Sequence, residues 1–134
     1  MHVDLATAVE GDPLRRRLLH LALFEAPYEA AGLITLGKLG RRVRRAQNAA
    51  ENPRTSFAIA PLELERLLQY AAVGHEKLEA VFHSHPNSGP EPSERDLVIA
   101  REAQRSAPGL PGLAMVIVGL HGGECEPTIS VTWP

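Results

Sequence analysis

Val81-Phe82-His83-Ser84-His85-Pro86, continued by Asn87-Ser88-Gly89-Pro90-Glu91-Pro92-Ser93-Glu94-Arg95-Asp96, is the stretch from which the chain is read. An apolar run from Leu78 to Phe82 ends in two histidines at i and i+2. On a strand, alternate side chains share a face, so both imidazoles point the same way. Pro86 and the Asn/Ser/Gly/Pro residues after it stop the strand and force a loop. Ser93 reads as a helix N-cap, which puts Asp96 in the first helical turn. The loop can return that carboxylate over the histidines. His83, His85 and Asp96 then make a metal site with three protein ligands, and zinc would keep a fourth position for water, the geometry of catalytic rather than structural zinc. Capping alone would account for Ser93 and Asp96, since a carboxylate favours the positive helix end. It does not account for the paired histidines or the stiff loop between them.

Working outward from this stretch, His75-Glu76-Lys77 leads into the strand, and before it lies the clearest helix in the chain. It starts at Pro61, and Leu64, Leu67, Leu68, Ala71 and Ala72 follow helical spacing until Gly74 ends it. Thr55 to Ala60 reads as a short strand and Asn48 to Arg54 as a polar loop. Upstream, Gly32-Leu33-Ile34-Thr35-Leu36 is a buried strand, Gly37 to Gly40 a turn, and Arg41-Arg42-Val43-Arg44-Arg45 a second, exposed strand. The basic run reads as a solvated strand near the sheet edge, with docking of an acidic partner as the sharper alternative. It lacks the interleaved aromatics that nucleic acid would call for. Asp12 as N-cap and Pro13 at the first helical position open a helix that stops before Pro27. Val3 to Val9 is short and reads as an edge strand.

Downstream, a helix is expected from Ser93 or Glu94 to about Ser106. A sharp connection follows over Ala107 to Gly112. Leu113 to Val118 is a buried strand, His121-Gly122-Gly123 a turn, and Thr128 to Trp133 the last strand. Three helices and several strands in mixed order give an α/β fold, a mixed curved sheet flanked by helices, in a single domain over 1–134.

The order His-Ser-His, seven residues, Ser, two residues, Asp resembles the signature of the JAMM (MPN+) zinc metalloproteases without a gap. Pro27-Tyr28-Glu29-Ala30-Ala31-Gly32 resembles the family's upstream glutamate before a Gly-and-apolar strand. The likeness runs from about Leu14 onward and is to the small prokaryotic-type members, many of which carry Cys where this chain has Ala31. It implies the same cytidine-deaminase-like sandwich, with zinc at the end of the central strand. It also implies Glu29 as general acid/base and Ser93 as the hydroxyl that stabilises an oxyanion. Glu76, Glu79, Glu91 and Glu94 are rivals for the base, and Ser84, between the ligands, is expected to bond nearby backbone. By the same resemblance the substrate is an amide or isopeptide bond after the C-terminal Gly-Gly of a ubiquitin-like or sulfur-carrier protein. This chain is too short to hold the insertions with which larger deubiquitinating relatives grip their substrates.

Composition narrows the classes. A chain of 134 residues, 44% hydrophobic, holds one real core. A net charge of −2 gives no global pull toward nucleic acid or anionic membrane. One cysteine, Cys125, excludes an intrachain disulfide and a Cys-based zinc cluster, and fits a reducing cytoplasm. Met1-His2-Val3-Asp4 does not read as a secretory signal, and no apolar run reaches the length of a membrane span. A homodimer is compatible with this reading. The competing classes are a metal-dependent small-molecule amidohydrolase and a non-catalytic MPN scaffold for protein interaction. The His/carboxylate ligand set also suits iron or manganese.

Overall fold

The computed structural model describes residues 2–98, 101 and 113–133. Five strands form one mixed sheet in the order β2-β1-β3-β4-β5. They are β1 (Ala31–Gly37), β2 (Gly40–Ala46), β3 (Lys77–His85), β4 (Ala114–Gly119) and β5 (Thr128–Thr132). The strand that carries the histidines, β3, is central. It runs antiparallel to β1 and parallel to β4. The helices are α1 (Leu5–Ala8), α2 (Leu14–Glu25) and α3 (Pro61–Val73). Residues 94–98 are also helical and are termed α4.

Each face of the sheet is covered differently. Ile34, Ala80, Phe82, Val116 and Val118 face one way and pack under α1 and α2 through Leu5, Val9, Leu14, Leu18 and Ala22. Leu33 and Ala46 face the other way, under Leu67 of α3. Further along that second face, Ala31, Met115 and Ile117 pack with Phe57. The histidines lie on this second face, beyond the reach of α3. Gly32 has to be glycine where β1 runs between β2 and β3, because a Cβ there would collide with the Arg44 carbonyl oxygen and the Phe82 ring.

Several expectations are met and several are corrected. The β1–β2 hairpin, α3, β3, β4, the turn at 121–123 and β5 fall where the sequence puts them. Val3 to Val9 is not a strand. Asp4 caps α1 by accepting from the Thr7 amide at 2.8 Å. Leu5 and Val9, at helical spacing, are both buried. Asp12 does not cap α2. Pro13 takes the N-cap position without a side-chain bond, and Asp12 instead pairs with Arg16 at 2.8 Å. On α3, Leu67 and Ala71 are buried while Leu68 and Ala72 are exposed, so the packed seam is narrower than the apolar stripe.

Thr55 to Ala60 is not a strand either. The reason is Asn48, whose amide donates to the Ser56 carbonyl at 2.9 Å and accepts from the Ala58 amide at 3.2 Å. Those are the backbone groups a strand partner would have used. The expected helix to Ser106 is helical over 94–98 and at 101. Its remainder and the Ala107 to Gly112 connection lie outside the described residues.

Candidate metal centre

The site is built at the end of β3. Alternation puts His83 and His85 on one face and Ser84 on the other. Ser84 does what the sequence suggests: its hydroxyl accepts from the Ala30 amide at 2.7 Å, while the Ser84 amide donates to the Ala30 carbonyl. This pins the entry of β1 against β3. His83 sits opposite Ala31 in the register, so Glu29, two residues earlier, falls on the histidine face. The Glu29 backbone is held from both ends: its amide donates to Pro53 O at 2.8 Å and its carbonyl accepts from Asn48 Nδ2 at 3.0 Å.

One donor atom from each of Glu29, His83 and His85 lies within 4.8 Å of the others, and this group could hold a metal ion. Asp96 closes the cluster. Its Oδ1 is 3.2 Å from His83 Nε2 and its Oδ2 is 3.1 Å from His85 Nε2. Ser93 caps α4 in a reciprocal pair with Asp96. The Asp96 amide donates to Ser93 Oγ at 3.0 Å and the Ser93 amide donates to Asp96 Oδ2 at 2.9 Å. Capping and proximity to the histidines therefore coexist in one carboxylate.

The donor set fits a cation. His85 Nδ1 donates to the Gly89 carbonyl at 2.9 Å, which turns the lone pair of neutral Nε2 toward an Asp96 oxygen. Two acceptors then face each other, an arrangement that needs positive charge between them. His83 is fully buried, and neither of its nitrogens has a hydrogen-bond partner of acceptable alignment. Glu29 Oε1 is likewise buried without a partner. Orphaned buried groups of this kind are costly unless something further satisfies them.

Electrostatics separate the four residues. Burial pushes the Glu29 carboxyl up to about 7; the nearby His85 opposes this and Asp96 adds to it. Burial pulls His83 down, against the pull of Asp96. For His85 burial acts downward too, but Asp96, the Gly89 carbonyl and Glu29 outweigh it and leave the imidazole raised. Burial would raise Asp96, yet the adjacent His83 and His85 imidazoles and the bond from the Ser93 amide hold it well below the usual carboxylate range. The two carboxyls thus differ widely in basicity within one cluster.

The rival carboxylates are either engaged by other partners or exposed. Glu76 is taken up by Thr35 and Arg44, and Glu79 by Arg41. Glu91 and Glu94 are exposed. Sequence reasoning missed Asn48 and Phe57. Asn48 donates to the carbonyls of Glu29, Pro53 and Ser56 and accepts from the amides of Ala50 and Ala58. It folds the 48–58 segment so that Phe57 stacks on His83, with centroids 4.2 Å apart and planes 17° from parallel. The available signal was an asparagine heading a loop and an isolated aromatic behind it.

A buried Glu/His/His cluster at the end of a central strand, on a mixed sheet with helices on both faces, defines a JAB/MPN-like domain. The chain matches the model for prokaryotic homologs of the JAB domain over residues 11–132, and it belongs to that family. Its fold is similar to the solution structure of a protein from Desulfitobacterium hafniense. That pair shares 24% identity over 87% of this chain and 77% of the other, with a TM-score of 0.68. A protein from Salinibacter ruber is similar at 24% identity, over 88% of this chain and 75% of that one, with a TM-score of 0.51. No curated protein matches the sequence. Among the described residues, no helix is long and apolar enough to cross a membrane.

Proposed function

We propose that the protein is a metal-dependent peptidase. It would hydrolyse an amide or isopeptide bond after the C-terminal Gly-Gly of a ubiquitin-like or sulfur-carrier protein. The observation that carries this reading is the buried cluster itself: Glu29, His83 and His85 with donor atoms within 4.8 Å, bridged by Asp96 and left with unpartnered acceptor atoms. His83, His85 and Asp96 would hold the ion. Zinc, when bound, would supply Lewis acidity toward the scissile carbonyl and lower the pKa of water toward neutrality.

The protein's own residues have distinct tasks. Glu29, with a carboxyl poised near 7, can take a proton from the attacking water and return it to the leaving nitrogen at neutral pH. Its unpartnered Oε1 leaves an acceptor free for that proton. Asp96 stays ionised throughout and so serves as a ligand rather than a proton carrier. Ser93 accepts a backbone bond as cap but keeps its own hydroxyl proton, which it can donate to the developing oxyanion. His85 is held in one orientation by the Gly89 carbonyl. A Gly-Gly tail suits such a site because it is thin, extended and free of side chains. Such a tail would approach the cluster at the C-terminal end of β3.

The test uses a ubiquitin-fold sulfur carrier bearing a short peptide amide-linked after its Gly-Gly. It is incubated with zinc-loaded wild type and with Glu29→Gln. Cleavage after the second glycine by the wild type alone is expected. No cleavage by either protein, with zinc confirmed bound, would reject the peptidase reading. It would favour a small-molecule amidohydrolase or a scaffold.

A further inference from the structure

The edge strand β2 is chemistry that the metal centre leaves unused. It pairs with β1 alone, in unbroken register from Ala46 opposite Ala31 to Gly40 opposite Gly37. In an antiparallel pair, alternate residues turn both N–H and C=O away from the partner. The outer side of β2 is therefore a row of backbone donors and acceptors, and no described backbone group outside β1 bonds to it. Proteins often blunt such an edge with proline, a bulge, a short strand or charged side chains. This strand has seven residues, no proline and no shift of register. What distinguishes it is charge.

Most of the arginines nearby are already neutralised. Arg41 pairs with Glu79, Arg44 with Glu76, Arg45 with Glu25, and Arg16 with Asp12. Three cations remain in surplus. Arg42 is 63% exposed, and its nearest carboxylate is Glu76 at 3.9 Å, which Arg44 already holds. Arg17 and Lys38 are exposed and pair with no carboxylate among the described residues. Hollows flank the strand on both sides. One, of about 870 Å³, includes Arg17, Lys38, Leu39, Arg42, Tyr70 and Val73. The other, of about 380 Å³, includes Arg17, His20, Leu21 and Val43. Leu39, Tyr70 and Val73 are exposed apolar side chains.

We propose that β2 is a docking edge for an extended acidic segment of a partner protein, which joins the sheet as a sixth strand. Main-chain bonds to the outer row would supply affinity, and side chains alternating between the two hollows would supply selectivity. Acidic side chains on the segment meet Arg17, Lys38 and Arg42 in the larger hollow, and apolar ones meet Leu21 and Val43 in the smaller. A second copy of this chain is a poor occupant, because edge-to-edge pairing would oppose the surplus cations to themselves. Nucleic acid is disfavoured because β2 carries no aromatic on which bases could stack. The inference does not rest on the hydrolase reading, since it uses neither the histidines nor Glu29.

The experiment measures fluorescence anisotropy of a labelled peptide of alternating Glu and Val. A Lys/Val peptide and an oligothymidylate serve as comparisons, and amide exchange is followed across β2. The acidic peptide is expected to bind, alternate β2 amides to gain protection, and Arg17→Glu with Arg42→Glu to weaken binding by about tenfold or more. Absence of binding, binding without protection in β2, indifference to the charge reversals, or equal affinity for oligothymidylate would each overturn the proposal. The exchange measurement on wild type stands whether or not the double variant folds.

Discussion

Asp96 and Glu29 are both buried carboxyls beside the same histidines, yet they are expected to respond differently to loss of charge. Asp96→Asn should abolish stoichiometric metal binding, because it removes the anion that faces both Nε2 atoms. His83→Ala should do the same. Glu29→Gln should keep the metal and lose about 10²–10⁴-fold in turnover, the range for a positioned acid/base group. Metal content by elemental analysis beside kcat separates the roles. Full metal in Asp96→Asn would reduce that residue to a cap, and loss of metal in Glu29→Gln would make Glu29 a ligand. Asn48→Ala tests the residue that sequence reasoning passed over. Five hydrogen bonds converge on this amide, and stranding several backbone partners should cost about 2–4 kcal/mol, read by urea unfolding. That His83, His85 and Asp96 come together was legible because a short local pattern holds them. Asn48 was not, since its role depends on the backbone of Glu29, nineteen positions away in sequence.

At the scale of elements, the loop after β3 is fixed by the turn beyond β4. The Leu120 amide donates to His85 O, the His121 amide to Ser88 O and the Gly122 amide to Pro86 O, while the Ser130 hydroxyl donates to Pro90 O. Gly119 makes room for this, since a Cβ there would collide with the backbone of Gly89 and Pro90. Gly119→Ala should therefore cost about 1–3 kcal/mol and weaken metal affinity as well, because the displaced Gly89 carbonyl no longer orients His85. Thermal melts with and without metal would show it; unchanged affinity would mean the loop adapts without moving the carbonyl. Strands with a buried apolar run, such as β1 and β4, could be read directly from the sequence. The 55–60 segment misled because Thr, Phe and Ile there have strand propensity, while a side-chain amide took the bonds that pairing would have used. Asp12 misled for a similar reason: a cap is a local preference, and the i,i+4 contact with Arg16 claimed the carboxylate.

For the whole molecule, the metal-free protein should show a pH dependence to which Glu29 makes a separable contribution. Its folded pKa of about 7 lies above the ordinary glutamate value near 4.5. The folded state thus binds more protons than the unfolded chain between these values, and stability falls as pH rises through that window. Asp96 has the opposite sign: its folded pKa is lowered, so the stability it contributes is present above the ordinary aspartate range and lost as pH falls below that range toward the folded value. His83, pulled down by burial, acts in the opposite sense within the same window, so the Glu29 contribution is read as the difference in melting temperature between wild type and Glu29→Gln in chelator, which should decline from about pH 4.5 toward 7. The acid-side loss from Asp96 should be the same in both proteins. Identical slopes in the two proteins would mean that the Glu29 carboxyl is not held neutral by its surroundings.

The contact between Ser84 and Ala30 joins positions 54 residues apart, and it has a kinetic consequence. Only His83 and His85 are neighbours along the chain; Glu29 reaches them through the pairing of β1 with β3, and Asp96 through the cap of a helix laid back over β3. Closing so long a loop is entropically expensive before any contact rewards it. An ion meeting the unfolded chain finds a bare pair of imidazoles and little reason to stay. Folding should therefore come first and loading second, so added zinc should slow unfolding while leaving the refolding rate almost unchanged.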